Sequence, residues 1–303
     1  MSSTDSTKFV FASDLHGDRR LYLELLDLAR SSSAQILGLG GDLFPSFSST
    51  RRYEDMIPNQ RTFIVSFLLP YFRRMTEESP VERIMLIPGN WDLGYPLLFE
   101  HPMEEMIDLS QKGYRLKNGC ELIGYPYVPP TPFRPKDYEK RDDPESPWPP
   151  QKNPSYIRSP EHRDRLLPVD PSRFLGGRET IRDDLDGLPA PSSLKKTIYI
   201  MHSPPFGTRL DLIRGGIPAG SRSIKTFIEK HQPLLTLHGH IHESPEISGS
   251  YADWIGESLA INPGQSSQAG KEGAGLDAVT FEIERPWETL VHTRLPRTGG
   301  SDK

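Results

Sequence analysis

Lys8-Phe9-Val10-Phe11-Ala12-Ser13-Asp14-Leu15-His16-Gly17-Asp18 is the stretch from which the fold is read. A short β-prone run ends in a polar turn, and from residue 19 to 30 apolar residues return at helical spacing. The same grammar recurs twice. Gln35-Ile36-Leu37-Gly38-Leu39 runs into Gly40-Gly41-Asp42, and Arg83-Ile84-Met85-Leu86-Ile87 runs into Pro88-Gly89-Asn90-Trp91-Asp92, with a helix predicted between them over 59–77. Short apolar strands alternating with helices imply largely parallel strands, buried on both faces under helical cover.

Further along, Asn118-Gly119 predicts a hairpin turn between strands at 114–117 and 120–124. The grammar breaks over 126–191, which holds 15 of the chain's 30 prolines and one expected helix near 179–188. A Pro-rich stretch cannot supply inner strands, so one domain spanning 1–303 is expected, with this segment inserted as a lid. Patterning then resumes. Thr197-Ile198-Tyr199-Ile200-Met201 ends at His202, a helix is expected over 221–231, and Leu234-Leu235-Thr236-Leu237 ends at His238-Gly239-His240-Ile241-His242. Closing strands are expected at 259–261 and 278–283, a flexible loop at 270–275 and a frayed tail from 294.

The 303 residues carry a formal net charge of -5, which argues against a broad basic face gripping extended nucleic acid. The longest nearly apolar run, 62–72, is too short to cross a bilayer, and residues 1–8 lack the apolar core of a secretory signal. A cytoplasmic protein without a membrane partner is expected. Its single cysteine, Cys120, excludes a disulfide framework and a Cys-rich zinc site, so a metal would fall to His, Asp or Asn.

Five polar clusters each follow a predicted strand: Asp14 with His16, Asp42, Asn90, His202, and His240 with His242. Ligands bind at the carboxyl ends of strands in α/β sheets, so one surface would collect all of them. Two carboxylates, four imidazoles and one amide suit Mn, Fe, Zn or Ni, and are too many donors for one tetrahedral ion. A pair of divalent ions is expected. Two ions, two carboxylates and a bridging hydroxide would leave a net charge of about +1, a site that binds and polarises a phosphoryl group, with the hydroxide as nucleophile.

Singly, Asp-x-His, Gly-Asp and Gly-Asn should occur by chance about 0.6, 1.7 and 0.4 times in such a chain, and mean little. Gly239-His240-Ile241-His242 has a chance expectation of about 0.02 and comes last of five blocks in strand-end context. This ordered set resembles the calcineurin-like metallophosphoesterases, in motif from residue 14 to 242 and more broadly over most of the chain outside 126–191. The resemblance implies a four-layer α/β/β/α sandwich of two mixed β-sheets flanked by helices, and a prokaryote-type dinuclear phosphohydrolase. Carried over by position, Asp14, His16 and His242 would hold one ion, Asn90, His202 and His240 the other, and Asp42 would bridge. Asn262-Pro263-Gly264-Gln265 resembles a late turn of the family and is taken as structural.

One position departs from the family. Where a His usually follows the Gly-Asn, this chain has Trp91, and an indole cannot serve as general acid. That contribution, roughly 10²- to 10⁴-fold, is then absent or supplied elsewhere, with His238 and Asp92 the candidates by proximity in sequence, although His238 is expected first as a buried, hydrogen-bonded imidazole supporting the site. Trp91 would stack on an aromatic leaving group or fill the wall of the site, and His101, His162, His231 and His292 are expected at the solvated surface. The expected function is hydrolysis of a small phosphoester, with phosphodiesters favoured, and oligomerisation is left open. Two alternatives stand beside it. One is a catalytically silent metal-binding scaffold. The other is a nucleotide-lipid pyrophosphatase, which would need an apolar cap where residues 126–191 look polar.

Overall fold

The computed structural model describes residues 6–47, 52–268 and 273–296. Outside them lie residues 270–272 of the loop expected at 270–275 and residues 297–303 of the tail expected from 294.

Alternation along the strands builds the layers. In Lys8–Ala12, Phe9 and Phe11 pack with Ile198, Ile200, Leu235 and Leu237 in a core between two sheets. Val10 and Ala12 face the other way, into a core with Leu21, Leu25, Phe63 and Phe72 from the covering helices. Tyr199 and Met201 likewise turn from Ile198 and Ile200 to meet Leu185, Ile224 and Phe227 in a third core. Strands buried on both faces account for the continuous apolar runs of the sequence. The result is the expected four-layer α/β/β/α sandwich.

Each sheet has six strands. The first runs Val291–Pro296, Ala274–Glu282, Lys8–Ala12, Ile36–Leu39, Arg83–Leu86, Met106–Asp108, with its last four strands mutually parallel. The second runs Ala252–Ile255, Ser258–Ile261, Leu235–Leu237, Thr197–Met201, Glu121–Tyr125, Gly113–Arg115, with four parallel strands between two antiparallel edges. In both sheets the parallel strands end on the same side, where the polar clusters lie.

Helix Arg19–Ser32 starts where Asp18 accepts a hydrogen bond from the Arg20 amide, and the helix expected at 221–231 is Arg222–His231, capped by Ser221. The helix expected at 59–77 runs as Met56–Phe63, a wide turn of π geometry at Ile64–Leu68, and Leu69–Glu78. Pro70, which has no N–H to donate, follows that wide turn.

The structure corrects several expectations. Met106–Asp108, Ala252–Ile255 and Val291–Pro296 are strands that the patterning did not predict, because edge strands half exposed to water need no apolar run. The expected tail therefore begins as a strand through Pro296, and Ala274 and Gly275 of the expected loop open the nine-residue strand Ala274–Glu282. His231 and His292 are half-buried, His292 against Tyr251 with a hydrogen bond to the Pro263 carbonyl, while His101 and His162 are exposed. Residues 126–191 hold two short helices, Pro171–Gly176 and Ile181–Asp186, and the ribbon Ser155–Arg158 with Leu166–Val169.

Polar side chains fasten this segment to the sandwich. Asp142 accepts from Ser221 Oγ and the Arg222 amide, and Asp184 takes both Tyr125 OH at 2.8 Å and Lys140 Nζ at 2.6 Å. Lys136 and Glu139 pair at 2.7 Å with both side chains fully buried. A proline has no backbone N–H to donate, so side chains take over much of the work of a hydrogen-bond ladder. Among the described residues no helix is long and apolar enough to cross a membrane.

Candidate metal centre

All seven predicted ligands meet at the strand ends. Lys8–Ala12, Ile36–Leu39 and Arg83–Leu86 of the first sheet deliver Asp14, His16, Asp42 and Asn90, while Thr197–Met201 and Leu235–Leu237 of the second deliver His202, His240 and His242. The donor atoms of Asp14, His16, Asp42 and His242 lie within 4.8 Å of one another, and so do those of Asp42, His202 and His240. Asp42 belongs to both groups. Its Oδ2 is 3.8 Å from His16 Nε2 and 3.5 Å from His202 Nε2.

The loops that carry these side chains are unusual in backbone. Seven non-glycine residues among those described have positive φ, and four of them are Asp14 (60°), His16 (45°), Asp42 (52°) and His240 (68°). Each left-handed residue costs on the order of 1–3 kcal/mol and persists only where its surroundings over-determine it. Here they do. The Asp14 amide donates to Gly41 O at 2.9 Å, the His16 amide to Asp42 O at 2.8 Å, and the His240 amide to the Asp14 carboxylate at 2.9 Å. Close approach also fixes two glycines: a Cβ on Gly89 would stand 2.2 Å from Asp42 Oδ1, and one on Gly239 would stand 1.9 Å from Ser13 Oγ.

Orphaned buried atoms test whether the pocket suits metal ions. Asn90 is fully buried with neither end of its amide hydrogen-bonded, and His202 Nε2 also has no hydrogen-bond partner. Burying such groups unpaired costs about 1–3 kcal/mol each, so a cation on their lone pairs fits the donor set. His202 Nδ1 meets Gly40 O at 2.7 Å, which keeps that proton on Nδ1 and presents Nε2 to Asp42. Burial pushes His16 down to about 4 and His240 to about 3. On His202 burial is outweighed by Asp42 and Asp14, which hold it up at about 9. Burial alone would raise Asp14 and Asp42, but the surrounding imidazoles pull both below the ordinary carboxylate range. Buried carboxylates that draw a proton onto an imidazole mark a site suited to added positive charge.

The family model described as calcineurin-like phosphoesterase matches residues 7–244. The chain belongs to the calcineurin-like phosphoesterase family. It is accordingly a metal-dependent phosphoesterase, a hydrolase of phosphoester bonds. The fold of this phosphoesterase is similar to that of a dimetal phosphatase from Danio rerio, at 12% identity and TM-score 0.53 over 97% of each chain. It is also similar to a Thermus thermophilus protein, TT1561, at 17% identity and TM-score 0.52 over 95% of this chain and 99% of that one. No curated protein matches the phosphoesterase by sequence.

The two candidates for the missing acid are both tied into the scaffold of the phosphoesterase. His238 is fully buried, its Nδ1 against Ser203 O at 2.9 Å and Met201 O at 3.1 Å, its Nε2 2.8 Å from Thr236 Oγ1. Burial pushes it down to about 4. Asp92 accepts from the amides of Leu43, Phe44 and Gly89, bonding the Asp42 loop to the Asn90 loop. Burial and then nearby Asp42 push its carboxyl up to about 7, against the pull of those amides. Asn262 Nδ2 donates to Leu210 O and Ile241 O, so the late turn props the Gly-His-x-His loop.

Sequence reasoning missed the lining beside the metal ligands. A cleft of about 680 Å³ opens at His240, walled by Phe133 and Trp148 of the 126–191 segment and by Phe206 and Arg222 of the sandwich. Phe133 also packs on Trp91, ring centroids 5.2 Å apart. No local motif announces these residues, since three separate stretches of chain bring them together.

Proposed function

We propose that this phosphoesterase is a dinuclear enzyme that hydrolyses small phosphodiesters in the cytoplasm. Asp42 carries the reading, because a carboxylate common to two groups of donors is what two neighbouring ions would share. Asp14, His16 and His242 would hold one ion, and Asn90, His202 and His240 the other. When bound, divalent ions such as Mn, Fe, Zn or Ni polarise a phosphoryl oxygen and acidify water for in-line attack on phosphorus. The chain's own work is placement: Gly40 O orients His202, the Asp14 carboxylate holds the His240 amide, and the Trp91 amide donates to Asp42 Oδ1 at 2.8 Å.

Trp91 brings no side-chain proton donor, and His238 and Asp92 have their polar atoms engaged elsewhere. This favours substrates whose leaving group departs without protonation, such as aryl phosphodiesters. The segment 126–191 acts as a substrate-selecting lid on a single domain, a role supported by its share of the cleft wall. A silent scaffold would be expected to have lost ligands, and all seven side chains stand in place. The experiment is replacement of Asp42 or His240 by Ala, with metal content and turnover of a generic aryl phosphodiester as readouts. Expected are about two ions per chain in the parent protein and abolished hydrolysis in both variants. Undiminished turnover would overturn the assignment.

A further inference from the structure

The cleft at His240 is larger and less polar than a phosphate needs. Its roughly 680 Å³ lies in the range of sites that enclose a whole organic molecule. Much of the lining is apolar: Phe133, Trp148, Phe206 and Ile241, with the rings of Pro129, Pro130 and Pro147. Phe133 is 42% exposed, a large aromatic left open to this space.

The charged lining, Arg141, Arg214 and Arg222 with Glu243 and the buried Asp142, narrows the occupant. The Arg222 guanidinium lies 3.6 Å from the centroid of the Phe206 ring, and that of Arg141 lies 5.5 Å from the centroid of Trp148. Asp142, the buried acid of this wall, is spent on Ser221 Oγ and on the Arg222 and Ser223 amides. An alkyl chain laid here would strip water from two guanidinium groups and return nothing. A flat π-system would stack on the aromatic rings and offer its face to the same cations.

We propose that the organic group of the substrate is a planar aromatic ring system, bound in the cleft beside His240 among Phe133, Trp148 and Phe206. This rests on the phosphoesterase reading, which places the phosphoryl group at the metal ligands. The 126–191 segment then selects substrates by stacking, with Trp148 and Phe133 as specificity-determining residues.

Calorimetric titration of the manganese-loaded protein with 2-naphthylphosphonate, octylphosphonate and methylphosphonate tests the inference without relying on turnover. The naphthyl probe should bind about tenfold tighter than the methyl probe, and tighter than the octyl probe. In Trp148→Ala the naphthyl-to-methyl affinity ratio should fall about fivefold. Phe133→Ala, at a more open position, should lower the same ratio and serves if the first variant does not fold. Equal affinity for naphthyl and methyl probes, or tightest binding of octylphosphonate, would overturn the inference even if aryl diesters are hydrolysed. Absence of both phosphonate binding and hydrolysis would instead overturn the phosphoesterase reading. An adenosine phosphonate that binds tighter than the naphthyl probe would assign the ring to a nucleotide, and a weaker one to an aryl ester. Both support the aromatic occupant.

Discussion

The backbone N–H of Trp91 donates to Asp42 Oδ1 at 2.8 Å, so the residue that departs from the family pattern still steadies the carboxylate common to both donor groups through its main chain. A change of side chain at position 91 leaves that bond in place. Trp91→His should therefore keep the site assembled while adding an imidazole able to protonate a leaving group. Turnover of alkyl phosphodiesters should rise about tenfold or more, and of nitrophenyl diesters much less. The check is kcat/KM against leaving-group pKa, whose slope should become shallower.

Asp92→Asn should act through geometry. An amide nitrogen would face backbone N–H groups now bound by a carboxylate oxygen, at a cost of about 1–3 kcal/mol. Thermal melting should show the loss, and metal titration should show weaker binding because the Asp42 and Asn90 loops come apart. A variant with unchanged metal affinity and melting but a lost alkaline limb in its pH-rate profile would mark Asp92 as a proton donor after all.

Gly89→Ala tests the close approach of two ligand loops. Its Cβ would collide with Asp42 Oδ1 at 2.2 Å and His202 Nε2 at 2.6 Å, so metal binding should fail. Gly176→Ala, where a Cβ meets nothing within 4 Å at the end of a helix, should leave metal binding alone and change stability by less than about 1 kcal/mol. Metal content and melting temperature of the two variants decide it.

Metal removal should lower thermal stability. Ions on the Asn90 amide and the strained loops bind the folded chain alone, so restoring a divalent ion to 100 times its Kd should add about 2.7 kcal/mol. Differential scanning calorimetry of chelated protein against added Mn, Zn or Ni measures this, and a melting temperature indifferent to all of them would contradict the assigned ligand set.

In the 126–191 segment, Lys136→Ala would leave Glu139 buried without its cation, at a cost of about 3–5 kcal/mol. The double change Lys136→Met with Glu139→Leu should cost less than the single one. Urea unfolding of the two variants reports the difference.

The candidate metal ligands were legible in sequence because each lies a few residues past a strand, where a local pattern and the expected chemistry coincide. His16 and Asp42 mean little singly and are recognised through the ordered set of strand-end blocks that closes with Gly239-His240-Ile241-His242. The sandwich was legible through alternation such as Phe9 and Phe11 against Val10 and Ala12. Asp92 was harder: its closeness to Asn90 suggested chemistry, but its oxygens turn toward the amides of Leu43 and Phe44, the former a contact made across 49 residues. The edge strand Ala252–Ile255, with Trp254 exposed, carries no apolar period to read. The cleft wall was least visible, because the polar-looking composition of 126–191 hides which face Phe133, Trp148 and the prolines turn inward.

The candidate ligands come from both sheets, Asp42 and Asn90 from one and His202 and His240 from the other. Bound ions would thus rivet the two halves of the sandwich together. Coordination tolerates errors of about 0.2 Å, far less than the slack of apolar side chains sliding over one another. The inter-sheet contacts of Phe9 and Phe11 with Ile198 and Ile200 therefore act as an alignment gauge, and a mutation deep among them can silence the enzyme without touching a ligand.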